Sequence, residues 1–448
     1  MKIRKFVNSQ HIKTAAVGAL GVKILSAFFA LLNGILLTHL LSVKDFGIYI
    51  LAFTTINIIT IPVSLGLPTL ITRYISKYIV LNNKPAIKGL LIRSNQLALL
   101  TYLITLIIAF TSYLLWWKSY SVNVVETFWY ALILLPILVF GSLRGAALRG
   151  LKYIILGQLP ETLLRNFFFC GLLVTVYFSD IKIAPQNAMI YHSIAALVAF
   201  IIGYVFLKKK LLNRLKNVQP IFKNKFWLKE AIPYSITSGS KAIKSKLLIY
   251  VLAIFGAIEA VAIFEIAMRG AKLVSYTSGA INSAISPYLS SLFEDNQKIT
   301  LQRVITKSSL IVFVFSFPVA IIFFLFGKPI LNVFFGANYI VSYIPLVIIC
   351  IGQLIHAMTG PTGEVLNMTG NQKYFSKNQF QMLIIGAMIS VPLIYYYDVI
   401  GAAIVFSSIL ILQNMLMVNF IKRKLKINTT IFNKGFLKKE FFLNKLEL

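Results

Sequence analysis

The chain has 448 residues, of which 58% are hydrophobic and only 13% are charged, and its formal net charge is +31. A mean hydropathy of +0.81, with apolar runs along the whole chain, excludes a water-soluble domain and predicts an integral membrane protein. The basic residues lie in short segments beside those runs, so no nucleic-acid partner is expected. Cys170 and Cys350 both lie in apolar runs, which predicts no disulfide framework, no metal site and no cofactor.

Twelve apolar runs follow one another, and each approaches the roughly 20 residues that a helix needs to cross a bilayer. Runs of this kind do not alternate as the shorter strands of a membrane barrel do, so they predict helices. The first six spans are residues 15–40, 46–67, 90–116, 128–148, 159–177 and 188–207. The second six are residues 231–255, 260–285, 308–326, 343–366, 380–396 and 400–421. The predicted fold class is an all-α polytopic membrane protein with twelve transmembrane helices.

Basic residues are concentrated in every second gap between these runs. The gaps predicted to be external hold only Lys44, Lys118, Lys182 and Lys328 among the lysines and arginines. Because basic residues accumulate in cytoplasmic loops, this asymmetry predicts that both termini are cytoplasmic. The first run is long and lacks a cleavage site for a signal peptide, so it is expected to stay in the membrane.

The longest polar gap divides the spans into two sets of six. The predicted parts are an N-terminal lobe (1–207), a basic cytoplasmic linker (208–229), a C-terminal lobe (230–421) and a basic cytoplasmic tail (422–448). The fourth spans of the two sets end alike, with Leu148-Arg149-Gly150 in one and Met368-Thr369-Gly370 in the other. Since each set has an even number of spans, such a repeat predicts six-helix lobes related by a pseudo-two-fold axis along the membrane normal.

Several basic residues lie inside the predicted spans, where one charged side chain costs about 2.5–3.5 kcal/mol at the centre of a helix. They are Lys23, Arg144, Arg165, Lys241, Lys244, Lys246, Arg269 and Lys272. The acids deep in the spans are fewer, namely Glu161, Glu265 and Glu364. A cationic interior favours an anionic ligand, and several cations suit a diphosphate better than a single carboxylate. Arg144 is close to Arg149 at the end of its span, so it is expected to extend toward the membrane surface.

Two acid–base pairs have the i, i+4 spacing that places both side chains on one face of a helix. Glu161 and Arg165 in the fifth span are interpreted as a structural ion pair. In the eighth span Glu265 can neutralise only one of the two cations Arg269 and Lys272. The surplus positive charge predicts a ligand site on that helix.

The seventh span carries Lys241, Lys244 and Lys246 among serines, a threonine and a glycine. A helix that faces lipid does not favour three cations, so these lysines either contact the cargo or line a water-filled vestibule. The predicted substrate-binding residues are these three lysines together with Lys23, Arg269 and Lys272.

A polar stripe follows the tenth span. On a continuous helix its members fall within an arc of roughly 80°; they are Gln353, His356, Gly360, Glu364 and Asn367. Intramembrane acids and histidines form proton relays, so His356, Glu364 and Glu265 are candidates for proton or ion coupling. A seam of hydrogen bonds between helices explains the same stripe equally well.

Short motifs recur along nearly the whole chain. The first span leads into the segment from Leu40 to Tyr49, which contains Lys44-Asp45-Phe46-Gly47, and the second into Gly66-Leu67-Pro68 and Arg73-Tyr74. The others are Leu148-Arg149-Gly150 with Gln158 and Glu161, Ala267-Met268-Arg269 with Pro287, and the segment from Phe335 to Tyr339 with Thr369-Gly370. With these motifs the chain resembles the polysaccharide flippases of the multidrug/oligosaccharidyl-lipid/polysaccharide (MOP) superfamily.

The resemblance implies alternating access and export of lipid-linked sugar units across the bacterial inner (cytoplasmic) membrane. It implies a glycan linked to undecaprenyl diphosphate as the cargo, membrane lipids as surroundings, a monomeric transporter, and a polysaccharide polymerase as a candidate partner. Cationic residues of the first and eighth helices face the central cavity in such flippases, and Lys23 and Arg269 lie on the corresponding helices here.

Two other functions stay open. A polymerase or ligase of the same pathway is also polytopic, but it needs a catalytic platform outside the membrane, and the external gaps are short. A drug/proton antiporter of the same superfamily often carries acids in its first helix, whereas this first span has Lys23 and no acid.

Overall fold

The computed structural model describes residues 9–116, 121–179 and 183–432, which form helices and short connections without any β-strand in these ranges. They belong to two compact units, Met1–Lys246 and Leu247–Leu448. The helices of the first unit are α1 (Ser9–Leu40), α2 (Val43–Ser64), α3 (Leu67–Val80), α4 (Lys84–Trp116), α5 (Val122–Gly150), α6 (Ile154–Leu159), α7 (Arg165–Tyr177) and α8 (Pro185–Lys210). A π-helical turn, Pro160–Leu164, joins α6 to α7, and a 3-10 turn, Leu212–Leu215, follows α8.

The next helix, α9 (Asn224–Phe255), begins in the first unit and ends in the second. The other helices of the second unit are α10 (Ile258–Glu294), α11 (Lys298–Phe335), α12 (Tyr343–Thr359), α13 (Thr362–Met368) and α14 (Gln372–Leu425). A 3-10 turn, Ala337–Ser342, precedes α12.

The twelve predicted spans fall mainly in helical parts of the chain, although the tenth is divided at Gly360 between α12 and α13. Among the described residues, nine helical stretches are long and apolar enough to cross a membrane. The seventh and eighth spans lie on α9 and α10, some of whose side chains lie outside the described residues, and neither helix is among the nine. The chain is therefore an all-helical, multi-pass membrane protein, while the count of twelve crossings and the boundaries of the two lobes stay predictions.

The helix α5 is the centre of the first unit and packs against α2, α3 and α8. Its inner face is apolar or small, with buried residues such as Leu134, Leu135 and Ala146. The end of α2 and the start of α3 are separated by a tight turn in which Leu65 and Gly66 both have left-handed backbone conformations. This turn brings α3 back across the end of α5, where Thr72 Oγ1 donates to Ala146 O at 3.1 Å.

The segment between α8 and α9 folds back onto α3 and α4. Trp227 at the start of α9 is buried, and its indole Nε1 donates to Tyr78 Oη at 3.1 Å. The backbone N–H of Ile221 donates to Pro85 O at 3.1 Å, and Lys88 Nζ donates to Lys216 O at the same distance. The sequence predicts a basic cytoplasmic linker between the lobes here, and the buried tryptophan fixes its end to the first unit.

The core of the second unit is a cluster of buried aliphatic residues from α10, α11, α13, α14 and the segment after α14. Its members are Leu289, Leu301, Ile305, Val365, Leu366, Met417, Ile421 and Ile427. Ile427 lies beyond the last helix, so the beginning of the predicted tail is part of the fold.

Two bends shape this unit. Gly360, with φ +74°, ends α12, and an added Cβ there would overlap Ser309 and the backbone of Thr429, so only glycine fits. The eleventh and twelfth predicted spans lie on two helical parts of α14, which are separated by a sharp kink at Asp398, whose φ of 48° and ψ of −125° are not helical.

Candidate functional site

The predicted cationic residues belong to both units. Lys23 and Lys246 lie in the first unit, and Arg269 and Lys272 lie in the second. The side chains of Lys241 and Lys244 lie outside the part of the chain that the structure describes. A single pocket shared by these cations stays a prediction.

Lys23 is on the exposed side of α1. Other residues of the same helix contact the π-helical turn and α7: Ser26 Oγ donates to Thr162 O at 2.7 Å, and Asn33 Nδ2 donates to Asn166 O at 3.0 Å. These bonds fix the rotation of α1, in which Lys23 is exposed. Lys246, which is half-buried, is in the part of α9 where that helix becomes apolar.

The eighth span holds an ion pair one turn from an exposed lysine. Arg269 Nε donates to Glu265 Oε1 at 3.1 Å, as the i, i+4 spacing predicts. Glu265 is buried, Arg269 is half-buried, and Lys272 is exposed three residues farther along α10. One carboxylate is thus already engaged by one cation, and Lys272 leaves a surplus positive charge in residues 265–272 of this helix.

Farther along α10, small polar side chains face α13. Ser286 Oγ donates to Glu364 Oε2 at 2.7 Å, and Asn282 Nδ2 donates to Ser278 Oγ at 3.4 Å. Glu364, a candidate coupling residue, is half-buried at this contact. A proton or a small cation that binds the Glu364 carboxylate would do so beside the hydroxyl of Ser286 or in its place.

His356, the other candidate of the tenth span, has a different set of partners. Its Nδ1 lies 3.1 Å from Asn414 Oδ1, which also accepts from Thr362 Oγ1 at 3.0 Å. Asn414 Nδ2 donates to Leu410 O at 2.7 Å, so the amide oxygen faces His356. An acceptor at Asn414 requires the proton on Nδ1 and leaves Nε2 as the atom that can gain or lose a proton.

The prediction that the polar residues of the tenth span share one continuous helical face is wrong. The helix ends at Gly360, so His356 belongs to α12 and Glu364 to α13, and the two side chains contact α14 and α10 respectively. The 100° advance per residue on which the stripe depends stops at that glycine.

An ionic cluster lies inside the first unit. Arg144 Nη2 donates to Glu161 Oε1, and Arg144 Nη1 donates to Phe200 O at 2.5 Å. The expectation that Arg144 extends to the membrane surface is wrong, since only 5% of it is exposed. The structure thus gives Glu161 a partner from the preceding helix, and its pairing with Arg165 stays a prediction.

Arg165 lies one turn beyond Glu161 and lines the same small cavity, together with Arg144, Pro160 and Phe200. Gly203 of α8 makes room for the guanidinium, because a Cβ at that position would overlap the Arg144 side chain. The close approach of α5, at Gly141 and Gly145, to α6 and the π-helical turn explains how the arginine reaches Glu161, and sequence spacing within one helix does not reveal such a contact.

His192 is a buried residue to which the sequence assigns no role. Its Nδ1 lies 2.8 Å from Tyr49 Oη, and its ring stacks on Phe169 at 4.5 Å between centroids. The signal in the sequence that could have indicated this buried site is a histidine inside an apolar run. Among the described residues, no group of three or more histidine, cysteine, aspartate and glutamate side chains could hold a metal ion.

Residues 16–293, more than half of the chain, match the family model described as polysaccharide biosynthesis protein. An uncharacterised membrane protein of Methanocaldococcus jannaschii is 22% identical over 403 residues, which cover 85% of this chain and 78% of that protein. The description of that relative gives no activity, but it is a membrane protein, which agrees with the helices described above.

The fold is similar to those of solved transporters. An inward-facing multidrug resistance MATE family transporter of the MOP superfamily aligns with a TM-score of 0.73 and 15% identity, covering 92% of this chain and 98% of that chain. A MOP superfamily transporter from Pyrococcus furiosus, with a binding pocket of reverse polarity that suggests a different function, aligns at 0.62 and 16% identity, covering 93% and 95%. At these identities the likeness shows the fold alone.

Proposed function

Because the chain belongs to the polysaccharide biosynthesis protein family and has the fold of MOP-superfamily transporters, we propose that it is a flippase for a lipid-linked oligosaccharide. The cargo that we propose is a glycan on undecaprenyl diphosphate, moved from the cytoplasmic to the outer leaflet of a bacterial inner membrane. Both chain termini would then be cytoplasmic, as the distribution of basic residues predicts.

The observation that carries this proposal is the surplus of positive charge in residues 265–272 of α10. Glu265 is already paired with Arg269, and Lys272 adds a cation on the same helix. A diphosphate offers several anionic oxygens to such cations, and charge-assisted hydrogen bonds to phosphate are stronger than neutral ones. Drug exporters that carry cationic compounds need the opposite sign, which disfavours a drug/proton antiporter here.

In the proposed mechanism, Arg269 and Lys272 bind the diphosphate together with Lys23 and Lys246, while the lipid tail stays in the bilayer. Lys241 and Lys244 would attract the anionic head near the cytoplasmic entrance. The two lobes would then alternate between openings to the two sides of the membrane, which the resemblance to the superfamily implies.

Coupling to ions is proposed for Glu265, His356 and Glu364. Protonation of His356 at Nε2 would add a positive charge beside α14, and protonation of Glu364 would remove a negative charge beside Ser286. Either change would alter the charge that the empty carrier moves back across the membrane, so a proton gradient could drive the return step.

Transport of a labelled lipid-linked oligosaccharide in liposomes tests the proposal. We expect the reconstituted protein to move the label between leaflets, and both Arg269→Ala and Lys246→Ala to slow that movement at least tenfold. Lys307→Ala, which removes an exposed lysine of α11, is the matched control and should keep the wild-type rate.

The outcomes separate the competing functions. A protein that elongates or transfers the glycan without moving it between leaflets would be a polymerase or ligase, and the flippase proposal would fail. Transport that both variants preserve would keep the function and contradict the binding site. Co-purification with a polysaccharide polymerase and the mass of the particle in detergent would test the candidate partner and the monomeric state.

A further inference from the structure

The end of the segment between α8 and α9, together with the first turns of α9, presents lysines and exposed apolar side chains side by side. We call this feature the connector surface, and its members are Ile221, Phe222, Lys223, Lys225, Phe226, Leu228 and Lys229. All seven are exposed, and between 38% and 48% of each apolar member is accessible. Exposed apolar groups alternating with lysines are typical of a segment that lies in the interface of a membrane.

The connector surface is held in one orientation on the first unit. Trp227 lies between its apolar members in sequence, yet it points inward and donates to Tyr78 Oη at 3.1 Å. The N–H of Ile221 donates to Pro85 O, and the ring of Phe226 meets that of Tyr74 edge-on at 5.4 Å between centroids. With Trp227 buried, the neighbouring Phe226 and Leu228 are left facing outward.

The acidic residue closest in sequence does not cancel these lysines. Glu230 accepts from Tyr74 Oη at 3.0 Å and pairs with Arg73 Nη1 at 3.4 Å. Its charge is therefore directed toward α3, and no other aspartate or glutamate occurs between α8 and Glu230. The connector surface keeps a net positive charge beside its exposed aromatic and aliphatic groups.

We propose that the connector surface binds anionic phospholipid of the leaflet on which it lies. Lys223, Lys225 and Lys229 contact the phosphate groups, while Phe222 and Phe226 enter the region below the headgroups. The segment follows α8, which is long and apolar enough to cross a membrane, and leads into α9, on which the seventh span is predicted, and this places it at the membrane surface in the proposal. A basic amphipathic segment there gains both electrostatic and apolar contacts. This inference does not depend on the cargo of the transporter.

Lipid titration of the purified protein is the first test. Dioctanoyl phosphatidylglycerol or dioctanoyl phosphatidylcholine is added in detergent, and bound lipids are counted by native mass spectrometry. We expect the triple variant Lys223→Gln, Lys225→Gln, Lys229→Gln to lose at least about tenfold in affinity for phosphatidylglycerol, because each lysine near an anionic surface contributes roughly fivefold.

The matched control removes three exposed lysines elsewhere, as Lys373→Gln, Lys377→Gln and Lys422→Gln. It should change that affinity less than about twofold. Equal losses in the two triple variants would mean a general effect of net charge and would overturn the proposal. Equal affinity of the wild-type protein for the two lipids would overturn it as well.

A second measurement needs no lysine variant. The native cysteines Cys170 and Cys350 are buried, so a fluorophore can be attached selectively to Phe222→Cys. In vesicles that contain phosphatidylglycerol we expect brominated lipid to quench the label and aqueous iodide to leave it bright. Replacement of phosphatidylglycerol by phosphatidylcholine should reduce the lipid quenching at least twofold.

Strong quenching by iodide with little by brominated lipid would place the surface in water and overturn the proposal in favour of a soluble acidic partner. Equal lipid quenching in both kinds of vesicle would overturn it too, since anionic headgroups would then play no part. Neither result bears on the flippase assay, so the two proposals fail separately.

Discussion

Arg144 and Glu161 form an ion pair in the interior of the first unit, and the pair makes a direct prediction about stability. Arg144→Met would leave the carboxylate of Glu161 without its nearest cation, and loss of one partner of a buried pair costs about 3–5 kcal/mol. We therefore expect a clearly lower midpoint of thermal unfolding in detergent. The measurement compares wild type and variant by the fluorescence of a thiol-reactive dye.

The control is the double variant Arg144→Met, Glu161→Gln. It removes both charges, so no unpaired ion stays buried and part of the lost stability should return. A double variant less stable than Arg144→Met would contradict this account of the pair.

The contact of Tyr74 with Glu230 predicts that the stability of the protein depends on pH in the alkaline range. Burial, followed by the hydrogen bond to Glu230, raises the pKa of Tyr74 above its usual value near 10. A raised pKa in the folded state means that the unfolded chain loses the proton first. The contribution of Tyr74 to stability is therefore constant below about pH 10 and falls above it. We expect Tyr74→Phe to cost about 1 kcal/mol at neutral pH and to flatten this alkaline decline.

Unfolding of the two proteins between pH 8 and pH 11 by chemical denaturant measures this effect. Tyr153→Phe, at an exposed tyrosine of the first unit, is the control and should decline like the wild type. Parallel curves for wild type and Tyr74→Phe would contradict the assignment.

At the scale of single residues, the sequence predicts contacts within one helix but not contacts between helices. The spacing of Glu265 and Arg269 predicts their ion pair, because residues four apart on a helix face each other. The partner of Glu161 could not be found in this way, since Arg144 comes from a neighbouring helix, α5, which approaches the π-helical turn closely at Gly141 and Gly145.

The segment that follows α14 is an element whose removal should destabilise the second unit. Asn428 and Gln302 exchange two hydrogen bonds, with N···O distances of 2.5 and 2.8 Å, and Ile431 N donates to Met358 O at 3.1 Å. Ile427 is part of the buried core. A chain that ends at Leu425 loses about 1 kcal/mol for each hydrogen bond and about 2 kcal/mol for the isoleucine.

A chain that ends at Phe432 keeps all of these contacts and is the matched control. We expect it to unfold near the wild-type temperature, while the chain that ends at Leu425 unfolds well below it. Because Met358 lies two residues beyond His356, hydrogen exchange of α12 should also rise in the shorter chain alone. Equal behaviour of the two truncated chains would contradict a structural role for this segment.

At the scale of helices, the sequence predicts positions well because a bilayer requires long apolar segments. The ends of α2, α5 and α8 lie within a few residues of the predicted spans. The break at Asp398 falls in the gap between the eleventh and twelfth predicted spans. What the sequence does not reveal depends on tertiary contacts, such as the buried Trp227 that fixes the start of α9 against Tyr78.

For the whole molecule, the charge pattern predicts how transport responds to a membrane potential. If the diphosphate carries net negative charge across the bilayer, an inside-negative potential favours its export by about 2.3 kcal/mol for each charge and each 100 mV. A potential of about 60 mV should then shift the distribution of cargo between leaflets about tenfold for each net charge that moves. Unequal concentrations of potassium across the liposome membrane, with valinomycin, impose the potential in either direction.

Reversal of the potential should reverse the shift, and liposomes without protein should show neither. A pH gradient of the same energy tests the coupling residues, because protons that return inward on His356 or Glu364 add to the charge that the cargo moves outward. In that case the wild-type protein responds both to potential and to pH, and Glu364→Gln weakens both responses. Transport by the wild type that ignores both gradients would contradict a charged cargo and, with it, the role proposed for Arg269 and Lys272.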